Sequence, residues 1–283
     1  MENYAGTMIK LCTWNVNSIK ARLPNILEWV QANTPDILLL QEIKTINDAF
    51  PTLEFEDMGY NCALNGQKTY NGVAILSRYP PEDIITALPG DPEDTQARYI
   101  EAVISIPTPE YARPAAYVSA TIPERMALRV ASIYVPNGQS PDSDKFAYKM
   151  RFLERLAIHA KTLLEYDELL ILGGDYNIAP ADIDVWDAKK LRGSTCFHPD
   201  EQRHFRVLEQ LGLIDIYRAS HPETQAYSWW DYRGGSWEHN HGMRIDHLMA
   251  SPRTADCIRE AGMDDGPRAK SKASDHIPVW CTL

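Results

Sequence analysis

Two runs of four apolar residues, Ile37–Leu40 and Leu169–Leu172, are too short for helices, carry no polar face, and lead almost directly into an acid. A strand covered on both faces reads this way, because neither side of its pleat meets water and the alternation of apolar and polar residues disappears. A chain built on such strands must place its sheets between other layers. The first run leads to Gln41–Glu42, and the second passes through Gly173–Gly174 to Asp175. Asp246 opens His247–Leu248–Met249, and Asp275–His276 opens Ile277–Pro278–Val279–Trp280. A carboxylate therefore stands repeatedly at the boundary of an apolar strand. Beside buried backbone it is costly unless a metal, a histidine or water partners it.

The rest of the chain supplies the layers. Met8–Trp14 reads as a strand, followed by a polar turn at Asn15–Ser18 and a helix from about Leu23 to Ala32, with Leu23, Ile26, Leu27 and Val30 at helical spacing. Gly72–Leu76, Tyr99–Ile106 and Leu128–Val135 read as strands, the last stopped by Pro136–Asn137–Gly138. Asp144 is expected to cap a long amphipathic helix to Leu164, and a second helix covers Gln202–Leu211. Further strands are expected at Ala226–Tyr232, Arg244–Met249 and Ile277–Leu283. No low-complexity linker divides the halves, so residues 8–283 read as one domain behind a flexible extension over residues 1–7. Many strands with few long helices imply an α/β architecture of two packed sheets flanked by helices.

Charge and cysteines narrow the function classes. A net charge of -11 argues at first sight against nucleic acid, whose usual footprint is basic, unless the acid is concentrated where chemistry needs it. The five cysteines are an odd number without a CxxC pair, which excludes a disulfide framework or zinc cluster and fits a reducing cytoplasm. No basic stretch followed by an apolar one marks a signal peptide, and no window approaches a membrane span. A cytoplasmic protein without a membrane partner is expected.

If the four acid-bearing strands share one sheet edge, Glu42, Asp175, Asp246 and Asp275 converge at one mouth. Asn15, Asn177 and Tyr134 also lie at or near strand ends, giving an oxygen-rich cluster suited to a hard divalent cation such as Mg²⁺. Some members have plainer readings. An aromatic in an apolar strand, as Tyr134 is, is ordinarily core, and an arginine before a strand, as Arg98 is, is commonly a surface residue. Only one of Trp229 and Trp230 can face a cleft from a strand.

The runs TWNVNSIKAR, LLLQEIK, IYVPNG, LGGDYNIAP, SWWDYR, RIDHLMAS and SDHIPVW, in this order over nearly the whole chain, resemble the exonuclease III family of bacterial AP endonucleases. LQE, GDxN and SDH are shared across the wider endonuclease/exonuclease/phosphatase superfamily, which includes lipid and inositol phosphatases. A phosphatase or phosphodiesterase acting on such a lipid or inositol phosphate is therefore the competing reading. SWWDYR and IYVPNG favour the DNA enzymes.

The resemblance implies a four-layered αββα sandwich of two mixed sheets. It also implies a Mg²⁺-dependent DNA phosphodiesterase, with Mn²⁺ able to substitute, that cuts 5′ to abasic sites and has 3′–5′ exonuclease and 3′-end-cleaning activities. Its partner would be double-stranded DNA with abasic or blocked 3′ ends, and it would act as a monomer. By the same resemblance Glu42 is the principal metal ligand, with Asn17 and Asp275 nearby. Asp175 activates the attacking water, and Asn177 and Asn15 hold it and the phosphate. His276 bonds a phosphate oxygen, Asp246 orients His276, and Tyr134 stands against the scissile phosphate. Arg98 reaches into the DNA and Trp229 packs on the abasic sugar. One departure is the proline-rich segment Ile106–Met126, longer than the family's usual connection and expected to form a surface excursion.

Overall fold

The computed structural model describes residues 8–109, 123–166 and 168–283. The expected extension over residues 1–7, and residues 110–122 of the Ile106–Met126 excursion, lie outside the described residues. In chain order the first half comprises β1 (Lys10–Asn15), α1 (Ile19–Asn33), β2 (Ile37–Gln41), α2 (Thr52–Glu56), β3 (Asn61–Asn65), β4 (Val73–Ser77), β5 (Pro81–Ile85), β6 (Tyr99–Pro107) and β7 (Arg125–Tyr134). The second comprises α3 (Asp144–Leu164), β8 (Leu169–Asp175), α4 (Ala188–Leu191), α5 (Pro199–Gln210), β9 (Ile214–Asp215), α6 (Ile216–Ser220), β10 (Asp246–Ala250), α7 (Pro252–Ala255), β11 (Glu260–Met263) and β12 (Val279–Thr282).

These strands form two six-stranded sheets, ordered β11-β12-β1-β2-β4-β3 and β5-β6-β7-β8-β10-β9. Both are mixed: β1 runs parallel to β2 and β7 parallel to β8, while the other pairs are antiparallel. Ile37 and Leu39 point into the core between the sheets, against residues such as Val130, Ile171 and Leu248. Leu38 and Leu40 point the other way, onto Trp29 and Val30 of α1 and Phe55 of α2. Leu170 and Leu172 likewise face outward, onto Phe152 and Leu156 of α3 and Phe205 of α5. Each continuous apolar run is thus a central strand with a greasy surface on both sides, and the result is the expected four-layered αββα sandwich.

The two glycines before Asp175 follow from that packing. A Cβ on Gly173 would lie 2.6 Å from Leu39 Cδ1 of the opposite sheet, and one on Gly174 would lie 1.9 Å from the Ile133 carbonyl oxygen of the neighbouring strand. The first neighbour is a movable side chain, whereas the second is backbone held in a ladder. Gly174→Ala is expected to cost about 3 kcal/mol, the upper range for overpacking. That corresponds to a fall in Tm of roughly 6 °C or more, and an unchanged melting curve would contradict it.

Several boundaries differ from the sequence expectation. Helix α1 begins at Ile19 rather than near Leu23, because Ser18 caps it by accepting from the Ala21 amide; Pro24 lies inside it and Lys20–Arg22 form a polar first turn. The cap of α3 is Ser143, whose Oγ accepts from the Phe146 amide, and Asp144 is the first helical residue. Ala226–Tyr232 is not a strand: it is an irregular wall pinned by isolated bridges from Trp229 to Met243 and to His276. Strands β3, β5, β9 and β11 were not legible in the sequence; they include all four sheet edges. The base of the Ile106–Met126 excursion continues the β6–β7 ladder, with Ile106 opposite Met126 and Pro107 opposite Arg125.

Candidate active site

Strand register assembles the polar residues. On β7, β8 and β10 the inward-facing positions at one end are Tyr134, Asp175 and Asp246, and Asp175 pairs directly with both neighbours across the ladder. On the facing sheet Asn15 of β1 lies opposite Gln41 of β2. Asn15 Nδ2 then spans the sheets, donating to Asp175 Oδ2 and to Glu42 Oε1, each at 2.9 Å. One step deeper, Gln41 Nε2 donates to Thr13 Oγ1 at 3.0 Å and to Ser132 Oγ at 2.9 Å, closing the site from the apolar core with a satisfied polar layer.

The acids are turned into the cleft by backbone that leaves its strand sharply. Glu42 and Asn177 have φ of 51° each and Asn17 of 44°, left-handed values that bend the chain just past a strand end. The Asn177 amide donates to Asp175 Oδ1 at 2.9 Å, so each oxygen of Asp175 accepts from one donor. His276 Nε2 lies 3.7 Å from Asp175 Oδ2, and His276 Nδ1 lies 2.8 Å from Asp246 Oδ2. Ser228 Oγ donates to that same Asp246 oxygen at 2.6 Å, while Asp246 Oδ1 is buried with no hydrogen-bond partner among the described residues. Asp275 and Asn17 form an adjacent pair, with Asn17 Nδ2 donating to Asp275 Oδ1 at 2.9 Å. Trp229 Nε1 donates to the other oxygen of Asp275 at 3.0 Å.

A cavity of about 320 Å³ opens over this cluster, lined among others by Glu42, Tyr134, Asp175, Asn177, Trp229 and His276. Trp229 faces this cavity, whereas Trp230 is buried and donates to Asn240 Oδ1. Arg98 does not extend freely: its guanidinium lies 4.7 Å from the Tyr134 ring centroid and 5.9 Å from that of Tyr148, and Nε donates to Gln96. It lines a second groove of about 440 Å³ that shares Glu42 and Tyr134 with the first cavity and adds Lys145.

Electrostatics separates the titrating groups. The Asp175 carboxyl is raised to about 7, chiefly by burial, opposed by His276 and reinforced by Asp246 and Glu42. For His276, burial works downward but the Asp246 and Asp175 carboxylates outweigh it, and the imidazole is raised to about 10. Burial, with Glu42 and Asp175 nearby, pushes the Tyr134 phenol well above its ordinary value, so it keeps its proton.

Glu42, Asp175 and His276 each offer one ligand atom, all within 4.8 Å of one another. An imidazolium has no lone pair to give, so the donors that suit a cation here are the oxygens of Glu42 and Asp175, a hard set fitting Mg²⁺ or Mn²⁺ rather than a soft metal. Asp275 lines the same cavity as Glu42, and Asn17 is tied to Asp275 by its Nδ2 hydrogen bond.

Several residues that shape the site escaped the sequence reading. Lys44 Nζ lies 2.7 Å from Glu42 Oε2 and also donates to Asn17 Oδ1, placing a cation against the principal acid. Its position two residues past Glu42, at the same strand end, is the signal that could have found it. Ser228 fixes Asp246 but lay in a segment read as a strand. Arg244, wholly buried, pairs with Asp184 at 2.6 Å and Asp215 at 2.7 Å and so anchors the segment leading into Asp246.

The sequence model of the endonuclease/exonuclease/phosphatase family matches residues 12–276. The chain is 31% identical over 280 residues to exodeoxyribonuclease III of Haemophilus influenzae, an alignment covering 96% of this chain and 98% of that protein. Among solved structures it is similar to a 3′ phosphatase from Neisseria bound to a product DNA hairpin, at 38% identity and a TM-score of 0.86. It is also similar to an AP endonuclease from Archaeoglobus fulgidus, at 34% identity and a TM-score of 0.85. Both alignments cover 96% of this chain and 98% of the other. With matches of this length on a sandwich of this topology, the chain belongs to the endonuclease/exonuclease/phosphatase family, in its exodeoxyribonuclease III branch.

Proposed function

We propose that this chain is a divalent-cation-dependent phosphodiesterase of DNA repair that cuts 5′ to abasic sites and trims blocked 3′ ends on double-stranded DNA, acting as a cytoplasmic monomer. The observation that carries this reading is the placement of Asp175. It is a buried carboxylate held by two donors, close to an imidazole and open to a cavity, with a pKa raised to about 7.

Hydrolysis of a phosphodiester builds negative charge on the phosphate oxygens and needs a base for the attacking water. A carboxylate poised near neutrality suits the base, and Asp175 takes the water's proton. His276, kept protonated by Asp246, donates Nε2–H to a phosphate oxygen. Asn177 and Asn15 hold Asp175 in line, and the Tyr134 O–H faces the phosphate as a donor. Trp229 offers an apolar wall to a sugar that has lost its base, and the groove with Arg98 and Lys145 accepts the strand beyond it. A carboxylate bound to a cation loses its basicity, so Glu42, with Asn17 and Asp275 beside it, would hold Mg²⁺ and leave Asp175 as the base; Mn²⁺ fits the same oxygens. When bound, the cation supplies Lewis acidity to the leaving oxygen.

The test is a duplex carrying one abasic analogue, incubated with Mg²⁺ or with EDTA. A cation-dependent nick 5′ to the lesion is expected. No nick, together with release of phosphate from an inositol phosphate, would overturn the reading.

A further inference from the structure

Behind the cavity, where no substrate reaches, Lys149 of α3 and Glu201 of α5 form an ion pair at 2.6 Å in which both side chains are 0% exposed. The ammonium also donates to the Asn177 carbonyl at 2.6 Å and to the Asn137 carbonyl at 3.2 Å. Its three N–H groups therefore meet three acceptors, the full complement of a lysine. Glu201 in turn accepts from the Cys196 amide at 3.2 Å and from the His198 amide at 2.9 Å. Three loops meet at this point: the turn after β7, the turn after β8 and the entry to α5. Each contains a residue of positive φ, Gly138 at 92°, Asn177 at 51° and Cys196 at 70°, and the last two carry side chains that disfavour that region.

Stability alone does not call for such a pair. Burying two charges costs about what their attraction returns, and well-packed neutral groups serve as well or better. What a well-packed apolar pair could not do is donate to the carbonyls of Asn137 and Asn177 from one point. Asn177 is the connection to the chemistry: its N–H holds Asp175 Oδ1 at 2.9 Å, and its Oδ1 accepts from Asn137 Nδ2 at 3.0 Å.

We propose that Lys149, oriented by Glu201, is a positioning residue for phosphodiester hydrolysis: it fixes Asn177 at its carbonyl and, through that residue's N–H, the angle at which Asp175 meets the water. This rests on the reading of Asp175 as the base.

The experiment compares Lys149→Met with the double variant Lys149→Met/Glu201→Gln on the abasic duplex. The single variant leaves Glu201 buried without its partner and is expected to lower Tm. The double variant removes both charges and is expected to recover part of the lost Tm, the Asn137 and Asn177 carbonyls still lacking their donor. In both, kcat falls about a hundredfold, the scale of a misplaced reacting group, while KM stays within about threefold of wild type, since neither residue faces the DNA. A double variant with wild-type Tm and wild-type kcat would overturn the proposal, and so would a loss confined to KM. Should Lys149→Met fail to fold, the double variant still decides. If the wild-type chain cuts no DNA, the reading of the site fails, and amide hydrogen exchange at Asn177 then tests the positioning. Exchange at least tenfold faster in the double variant supports it, and unchanged exchange refutes it.

Discussion

Replacing Asp175 by asparagine lowers kcat on an abasic duplex by about 10³-fold, within the range for removing a proton-transfer group, and leaves the fold intact. The substitution keeps the volume and can keep the oxygen that accepts from the Asn177 amide, so the strand and its turn persist. It removes the proton acceptor and places an amide where a carboxylate oxygen accepted from Asn15 Nδ2 at 2.9 Å. Two donors then face each other, so the tie between the two sheets loosens as well. Single-turnover rates with circular dichroism on the same sample provide the measurement. A variant retaining more than about a tenth of wild-type kcat would remove Asp175 from its proposed role.

His276→Ala is the second large effect, with a loss of about 10²-fold or more in kcat. Asp246→Asn falls between this variant and wild type, because it acts through the imidazole it orients at 2.8 Å. The pH dependence is the sharper check. With its folded-state value raised to about 10, His276 stays protonated across the physiological range, so the rate does not decline between pH 7 and pH 9 as it would for an ordinary histidine near 6.5. The same elevation has a stability consequence. A raised value contributes stability that is fully present below pH 6.5 and is lost as pH rises through about 10. The stability difference between wild type and His276→Ala should therefore shrink across that window. A difference that grew with pH would reverse the assignment of the pairing.

Legibility in the sequence followed burial. Central strands such as Ile37–Gln41 and Leu169–Asp175 announced themselves because both faces are covered and the chemistry of every residue is constrained. The strands that escaped include all four sheet edges. At β5 most side chains are exposed, so its sequence Pro-Glu-Asp-Ile-Ile carries no pattern, and pairing with β6 alone makes it a strand. The same contrast runs through the site. Acids at strand ends were visible because a carboxylate beside an apolar run needs an explanation. Lys44, Ser228 and Lys149 were not, because lysine and serine are unremarkable residues until their partners are known.

The order of the motifs along the chain, and the burden each strand-end acid places on its surroundings, are properties of the sequence alone, since burial of backbone and the cost of an unpaired charge are local demands. Register and convergence belong to the tertiary structure. Asp175 became the central group because β8 pairs with β7 on one side and β10 on the other, bringing Tyr134 and Asp246 level with it, and because the opposite sheet supplies Asn15 across the gap. The chain separation between these partners runs to 160 residues for Asn15 and Asp175. No local rule fixes a contact across that distance; sheet packing does, because shifting a strand by one residue would turn its whole apolar face outward.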